Sequence, residues 1–283
     1  MYVTMKQILD DANKGNYCVA APNVFNFETI KAVVQAAVEE RSPLIIDINQ
    51  YVFTKYTGGE YLPMIIRKMA EEVDIPIALN LDHGKEFDAI VKAIRAHFSS
   101  VMIDASEYDF EENVRRTKET VRMARAVGIS VEAEIGHVGF GKEYTSSDPS
   151  KFFTDPKEAY AFVKETGVDA LAIAIGTAHG EYSGTPKIDF DRLKEIKDIC
   201  KLPLVLHGGS GTGDENLAKA AKNGINKVNL FTDLRMESQR AIRQAQEENP
   251  NIMLIDLEDI SMKAFKDKTK FYMRLFGCSG KAE

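Results

Sequence analysis

The sequence predicts an α/β protein built as a single (β/α)8 TIM barrel with an extra C-terminal helix, and three observations carry the prediction. Short β-branched runs alternate with amphipathic segments throughout the 283 residues, the pattern of a parallel sheet covered by helices. Eight such units can be counted. No linker rich in Pro, Gly or Ser divides them, which favours a closed barrel over an open, doubly wound sheet. At 44% hydrophobic the chain can bury one large core, so a single domain over residues 1–283 is expected.

The strand runs are Tyr17–Ala21, Leu44–Ile48, Pro76–Leu81, Ser100–Asp104, Ile129–Glu134, Ala170–Ile175, Pro203–His207 and Asn226–Leu230. Each precedes a helical segment. After Asp109, for example, Val114, Val121 and Ala124 share one face while Glu111, Arg115, Lys118 and Arg122 fall on others, as the outer ring of a barrel requires, and Gly128 ends the helix. The longest insertion, Gly136–Pro156, follows the fifth strand, where a long loop suits a lid or a binding segment. Leu234–Glu248 reads as the helix after strand eight, and Leu254–Phe276 as the extra C-terminal one.

Charge and cysteine content narrow the function classes. A net charge of −7 and a pI near 5.4 argue against nucleic acid, which needs a basic face, but leave room for a small anion bound locally. Cys18, Cys200 and Cys278 are far apart and never in a CxxC pair, so neither a disulfide framework nor a thiolate metal site is suggested and a reducing cytoplasm fits. The N-terminal stretch is charged where a secretory apolar segment would lie, and no apolar run approaches membrane-spanning length.

Barrels place reactive groups at the C-terminal ends of their strands, and here those ends are rich in chemistry. Strand three leads into Asp82 and His83, strand four ends in Asp104, strand five carries Glu132 and Glu134, strand six leads to His179, and strand seven ends in His207. A lone histidine beside an apolar run is usually a satisfied structural residue. Three at one mouth instead form a site with an open fourth position, as catalytic zinc requires. His97, near a helix end, suits a dipole or packing role, and His137 in the long loop stays undecided. Gly208, Gly209, Ser210 and Gly211 alone would read as a tight turn. Placed between strand seven and a helix near Asp214, they match the position where barrels bind phosphate with bare backbone N–H groups, and Lys227, Asn229 and Thr232 add donors at strand eight.

Taken together, LDHGKEFDAI, SSVMIDAS, SVEAEIG, LAIAIGTAHGEYSG, LPLVLHGGSG and NKVNLFTDLR resemble the class II ketose-bisphosphate aldolases, especially the tagatose-bisphosphate branch, over nearly the whole chain. The resemblance implies that His83, His179 and His207 hold Zn2+, that Asp82 moves the proton of the C4 oxygen, and that Asp104 and Glu134 position a second metal or an alternate zinc location. A monovalent cation is a further implied possibility. It implies that Gly180, Gly208, Gly209, Ser210 and Asn229 to Thr232 cradle dihydroxyacetone phosphate, with a homodimer or homotetramer and, in some members, a noncatalytic activating subunit.

The chain departs from the family around the substrate. The family's EAE-x-G-x-x-G-G-x-E-D reads EAEIGHVGFGKEY here, so Phe140 replaces a glycine, Lys142 aligns with the usual base glutamate, and Glu143 stands one residue later as the candidate base. Phe231 occupies the position that discriminates among bisphosphate branches, APNVFN brings Asn23 into an altered segment, and Asn49 replaces a small hydroxyl residue. Arg235 matches a position that reaches a distal anion, often in a neighbouring subunit, and its planar fork suits phosphate or sulfonate. The expected reaction is reversible cleavage of a ketose 1-phosphate or 1,6-bisphosphate to dihydroxyacetone phosphate and an aldehyde. A zinc-barrel hydrolase and a noncatalytic partner subunit are the alternatives; the phosphate loop weighs against the first and the intact histidines against the second.

Overall fold

The computed structural model describes residues 1–139, 152–180 and 186–282. Eight parallel strands form one sheet in the order β1-β8-β7-β6-β5-β4-β3-β2. They are β1 (Val19–Pro22), β2 (Leu44–Asn49), β3 (Ile77–Gly84), β4 (Ser100–Ile103), β5 (Ser130–Ile135), β6 (Ala170–Ile173), β7 (Leu204–Leu206) and β8 (Ile225–Leu230). The remaining seam is bridged between Asn23 and Asp47, where the Val24 N–H donates to the Asp47 carbonyl at 2.9 Å. Almost every strand residue is buried, because a parallel sheet is covered on both faces. The fold is thus the barrel that the alternation predicts.

The helices are α1 (Met5–Gly15), α2 (Phe27–Glu40), α3 (Gln50–Lys55), α4 (Leu62–Glu71), α5 (Phe87–Arg95), α6 (Phe110–Ala126), α7 (Pro156–Thr166), α8 (Phe190–Cys200), α9 (Asp214–Lys222), α10 (Thr232–Glu248) and α11 (Leu254–Phe276). Helix α1 precedes the first βα unit and is missing from the alternation read in sequence. Its signals are nevertheless local: Thr4 and Gln7 form a capping box, and Met5, Ile8, Leu9 and Ala12 recur at helical spacing on a buried face. Asp109 caps α6 by accepting from the Glu112 N–H at 2.9 Å, and the extra helix α11 buries Phe265, Tyr272, Met273 and Phe276. Among the described residues no helix is long and apolar enough to cross a membrane, and the three cysteines carry free thiols.

The barrel interior is not wholly apolar. Lys227 of β8 is fully buried and holds Glu132 of β5 at 2.9 Å and Asp47 of β2 at 3.2 Å, while Asn80 of β3 donates to Asp47 at 2.9 Å. Buried charges persist only when paired and hydrogen-bonded, so this layer joins four strands directly beneath the site.

Candidate active site

The site begins with an irregularity in β3. This strand pairs with β2 in regular register through Asn49 and Asp82, but its register with β4 shifts between Leu81 and Gly84. At the shift His83 takes φ +49°, the left-handed region that non-glycine residues adopt at a cost of about 1–3 kcal/mol. In a regular strand consecutive side chains point to opposite faces; the bulge re-aims them, and Asp82 and His83 both line one cavity.

Carboxylates orient two of the three imidazoles. His83 Nδ1 stands 2.8 Å from Asp104 Oδ2, and His207 Nε2 stands 2.8 Å from Glu132 Oε1. A ring nitrogen facing a carboxylate carries the hydrogen, which leaves His83 Nε2 and His207 Nδ1 as acceptors 3.0 Å apart. Two lone pairs that close require a cation between them, either a proton carried by His83 or a metal ion in its place. Nitrogens bound at 2.0–2.1 Å to a tetrahedral ion stand roughly 3.3 Å apart, so the observed spacing suits a metal. His179 completes the group: its ring centroid is 4.9 Å from that of His83 and 5.9 Å from that of His207, and the ligand atoms of all three lie within 4.8 Å of one another. His83, Asp104 and Glu134 form a second group within the same limit. Glu134 Oε1 accepts from the Val138 N–H at 3.1 Å, whereas its buried Oε2 has no hydrogen-bond partner among the described residues. An unsatisfied buried carboxylate oxygen beside two imidazoles fits a cation location.

The electrostatics agree with that fit. Burial alone raises the Asp82 pKa, but His83, His207 and Lys227 outweigh it and hold the carboxylate near 2. Burial opposes a charge on His83, yet Asp82 and Asp104 draw its pKa up to about 10, so a metal entering there displaces a proton. Burial, then His83 and His207, push His179 down to about 3, leaving a neutral ring suited to ligation. Burial, reinforced by Asp104, raises Glu134.

Asp82, His83, Asp104 and His179 line the floor of a cavity of about 560 Å³. Asn23 and Asn229 donate to the two Asp82 oxygens at 2.9 and 2.8 Å, so both expected substrate contacts also fix the carboxylate. Gly180, Gly208, Gly209, Ser210, Phe231, Thr232 and Arg235 line the side beneath the loops after β6, β7 and β8. Gly208 has φ +68°, and a Cβ there meets the Ala178 carbonyl at 2.3 Å, so no larger residue fits. Ser210 Oγ accepts from the Asp233 N–H at 3.1 Å, setting the glycine loop against the N-terminus of α10, an anion-binding arrangement. Asn49 lines the cavity and caps α3 by accepting from the Val52 N–H at 2.9 Å. Arg235 lays its guanidinium 5.2 Å from the Phe231 ring centroid.

One expectation is corrected. Lys227 is not a phosphate donor at the mouth of β8, because its side chain points into the barrel and Glu132 and Asp47 take up its ammonium. In the run Asn226-Lys227-Val228-Asn229 the alternation turns Asn226 to Lys197 of α8, while Lys227 and Asn229 share the inward face, Lys227 in the interior layer and Asn229 one step higher at Asp82. Glu143, Phe140 and Lys142 lie outside the described residues. Glu132 gained no role from the sequence beyond its place on strand five, although EAE spacing puts Glu132 and Glu134 on one strand face. Lys85, Glu107 and the undecided His137 also line the cavity, with His137 Nδ1 3.3 Å from Ser106 Oγ. His97 instead closes α5 with φ +63°.

Comparison with known proteins follows the same geometry. The family described as fructose-bisphosphate aldolase class-II matches residues 3–281. The chain is 40% identical to fructose-bisphosphate aldolase of Geobacillus stearothermophilus over 286 aligned positions, covering 99% of this chain and 98% of that protein. It is 38% identical to YdjI of Escherichia coli K12, covering 97% of each. The crystal structure of the YdjI aldolase superposes with a TM-score of 0.88 at 36% identity over 100% of both chains.

Proposed function

The chain belongs to the class II fructose-bisphosphate aldolase family and is an aldolase, and from that premise we propose that it is zinc-dependent and cleaves a ketose 1-phosphate or 1,6-bisphosphate reversibly to dihydroxyacetone phosphate and an aldehyde. The observation that carries the zinc assignment is the convergence of His83, His179 and His207 beside Asp82, with two ring nitrogens 3.0 Å apart and their far nitrogens held by Asp104 and Glu132. When bound there, zinc supplies Lewis-acid stabilisation of the ketose carbonyl and of the charge that develops on it.

The protein's own groups do the rest. The glycine loop and the start of α10 bind the C1 phosphate and fix the dihydroxyacetone half. Asp82, ionised and held by Asn23 and Asn229, takes the C4 hydroxyl proton as the C3–C4 bond breaks, and returns it to the aldehyde oxygen in condensation. The electron pair left on C3 is protonated by Glu143, which removes the same proton in the reverse direction. Phe231 makes its side of the cavity apolar, packing edge-on to Phe25 at 6.1 Å, so a polyhydroxylated chain gains fewer hydrogen bonds there. We therefore assign an aldehyde with a terminal anion, phosphate, sulfonate or carboxylate, with Arg235 contributing and ordinary fructose bisphosphate a poor substrate. The tagatose configuration, a cytoplasmic location, a homodimer or homotetramer and an activating subunit all belong to this proposal.

Incubating zinc-loaded protein with dihydroxyacetone phosphate and a panel of aldehydes should yield a new ketose phosphate; no product from any of them, with zinc bound, returns the chain to a noncatalytic partner role. Efficient cleavage of fructose bisphosphate would defeat the Phe231 argument. Glu143→Gln should slow exchange of the dihydroxyacetone phosphate methylene hydrogen roughly a hundredfold or more with zinc retained, as general-base losses do, and Lys142→Gln should be milder. The opposite ranking places the base at Lys142.

A further inference from the structure

Around eight strands, β3 and β4 stand opposite β7 and β8. A ketose whose C1 phosphate sits on the β7 and β8 loops and whose C4 hydroxyl meets Asp82 of β3 brings its aldehyde half beside the turns after β3 and β4, in the cavity that Arg235 lines as well, a step that rests on the function proposed above. Those turns carry Lys85 and Glu107, both lining the cavity, with Lys85 Nζ 2.5 Å from Glu107 Oε1.

Three features set this pair apart from surface decoration. Both backbone roots are fixed: Gln50 Oε1 accepts from the Lys85 N–H at 2.8 Å and the Glu86 N–H at 3.1 Å, and Asp104 Oδ1 accepts from Ser106 N–H at 3.2 Å and Oγ at 2.7 Å. Both charged ends are half exposed, at 48% and 59%, so the contact contributes little to stability and its ammonium is exchangeable. Among the described residues on this side of the cavity, Asp82, Asp104 and Glu107 are acidic, and Lys85 brings an ammonium beside them.

We propose that Lys85 recognises an oxyanion at the far end of the aldehyde half, and that Glu107 is the internal anion which the substrate's oxyanion replaces. The pair thereby discriminates by charge: the ammonium rejects nothing neutral, but it gives an acidic aldehyde one charge-assisted contact that a neutral aldehyde lacks. Glu107 keeps the ammonium over the cavity between turnovers and competes with the incoming anion.

The test measures kcat and KM for condensation of dihydroxyacetone phosphate with succinic semialdehyde, glyceraldehyde 3-phosphate and glyceraldehyde, which carry a carboxylate, a phosphate and no charge. Lys85→Met should lower the anionic-to-neutral ratio of kcat/KM roughly tenfold or more through KM, the size of one lost charge-assisted contact, and Lys85→Arg should restore much of it. Glu107→Gln should raise the ratio, because the competitor is gone. Whichever acid shows the larger drop identifies carboxylate or phosphate as the source. An unchanged ratio in Lys85→Met, or a ratio that falls in Arg235→Ala alone, overturns the assignment. Methylene exchange of dihydroxyacetone phosphate without any aldehyde separates the two levels: exchange with unchanged ratios defeats only the role of Lys85, whereas no exchange in the zinc-loaded wild type defeats the aldolase chemistry beneath it.

Discussion

His83→Ala, His179→Ala and His207→Ala are each expected to abolish zinc binding and to lower turnover by at least roughly a hundredfold to a thousandfold, the range for loss of electrostatic stabilisation at a reacting carbonyl. A site of three imidazoles cannot drop to two and keep its ion at working concentrations. The carboxylates behind the rings should matter less but measurably. Glu132→Gln weakens the acceptor for His207 Nε2, and changes of that kind reduce metal affinity about tenfold to a hundredfold. Metal content after dialysis and chelator competition measure both effects. Full zinc occupancy in any of the three alanine variants would remove that histidine from the site.

Lys227→Met is expected to destabilise the fold by about 3–5 kcal/mol, the range for breaking a buried ion pair by removing one partner. Asp47 and Glu132 are both fully buried, and Lys227 is the cation between them. Asp47 is already pushed up to about 8, by burial first, with Asp82 and Glu132 raising it against Lys227. Without Lys227 the Glu132 charge keeps only His207 beside it among the described residues, and Glu132 loses the hydrogen bond that sets its other oxygen towards His207. Urea denaturation should show a lower midpoint at unchanged slope. A loss below about 1 kcal/mol would mean that water or a rearranged Asn80 relieves the two carboxylates. Lys227→Met with Glu132→Gln should recover part of the loss, because Glu132 is the buried carboxylate held in its charged form.

The contrast between Lys227 and His207 shows which parts of the site were legible in the sequence. Both stand in runs at strand ends, and the sequence places the three histidines, Asp82 and the glycine loop at the correct mouths because barrel topology puts every strand's C-terminus on one face. It does not say how deep a side chain reaches. Lys227 was expected at the phosphate and lies in the barrel, since its depth depends on the strand's stagger and on two acids contributed by distant strands. The His83 bulge escapes the sequence for a related reason: nothing in LDHG distinguishes a regular strand end from one whose register slips against β4. Helix α1 is legible locally through Thr4 and Gln7, but it precedes the first βα unit, so the alternation alone does not call for it. Lys85 and Glu107 sit in separate turns, and only the folded barrel makes them a pair.

Stereospecific exchange of the dihydroxyacetone phosphate methylene hydrogen, followed by NMR in deuterated water without an aldehyde, tests the central account most directly. Zinc-loaded protein should exchange one of the two C3 hydrogens, and the rate should collapse when a chelator strips the metal and return when zinc is restored. Exchange that persists with no metal retained, or its absence with zinc bound at His83, His179 and His207, would contradict it.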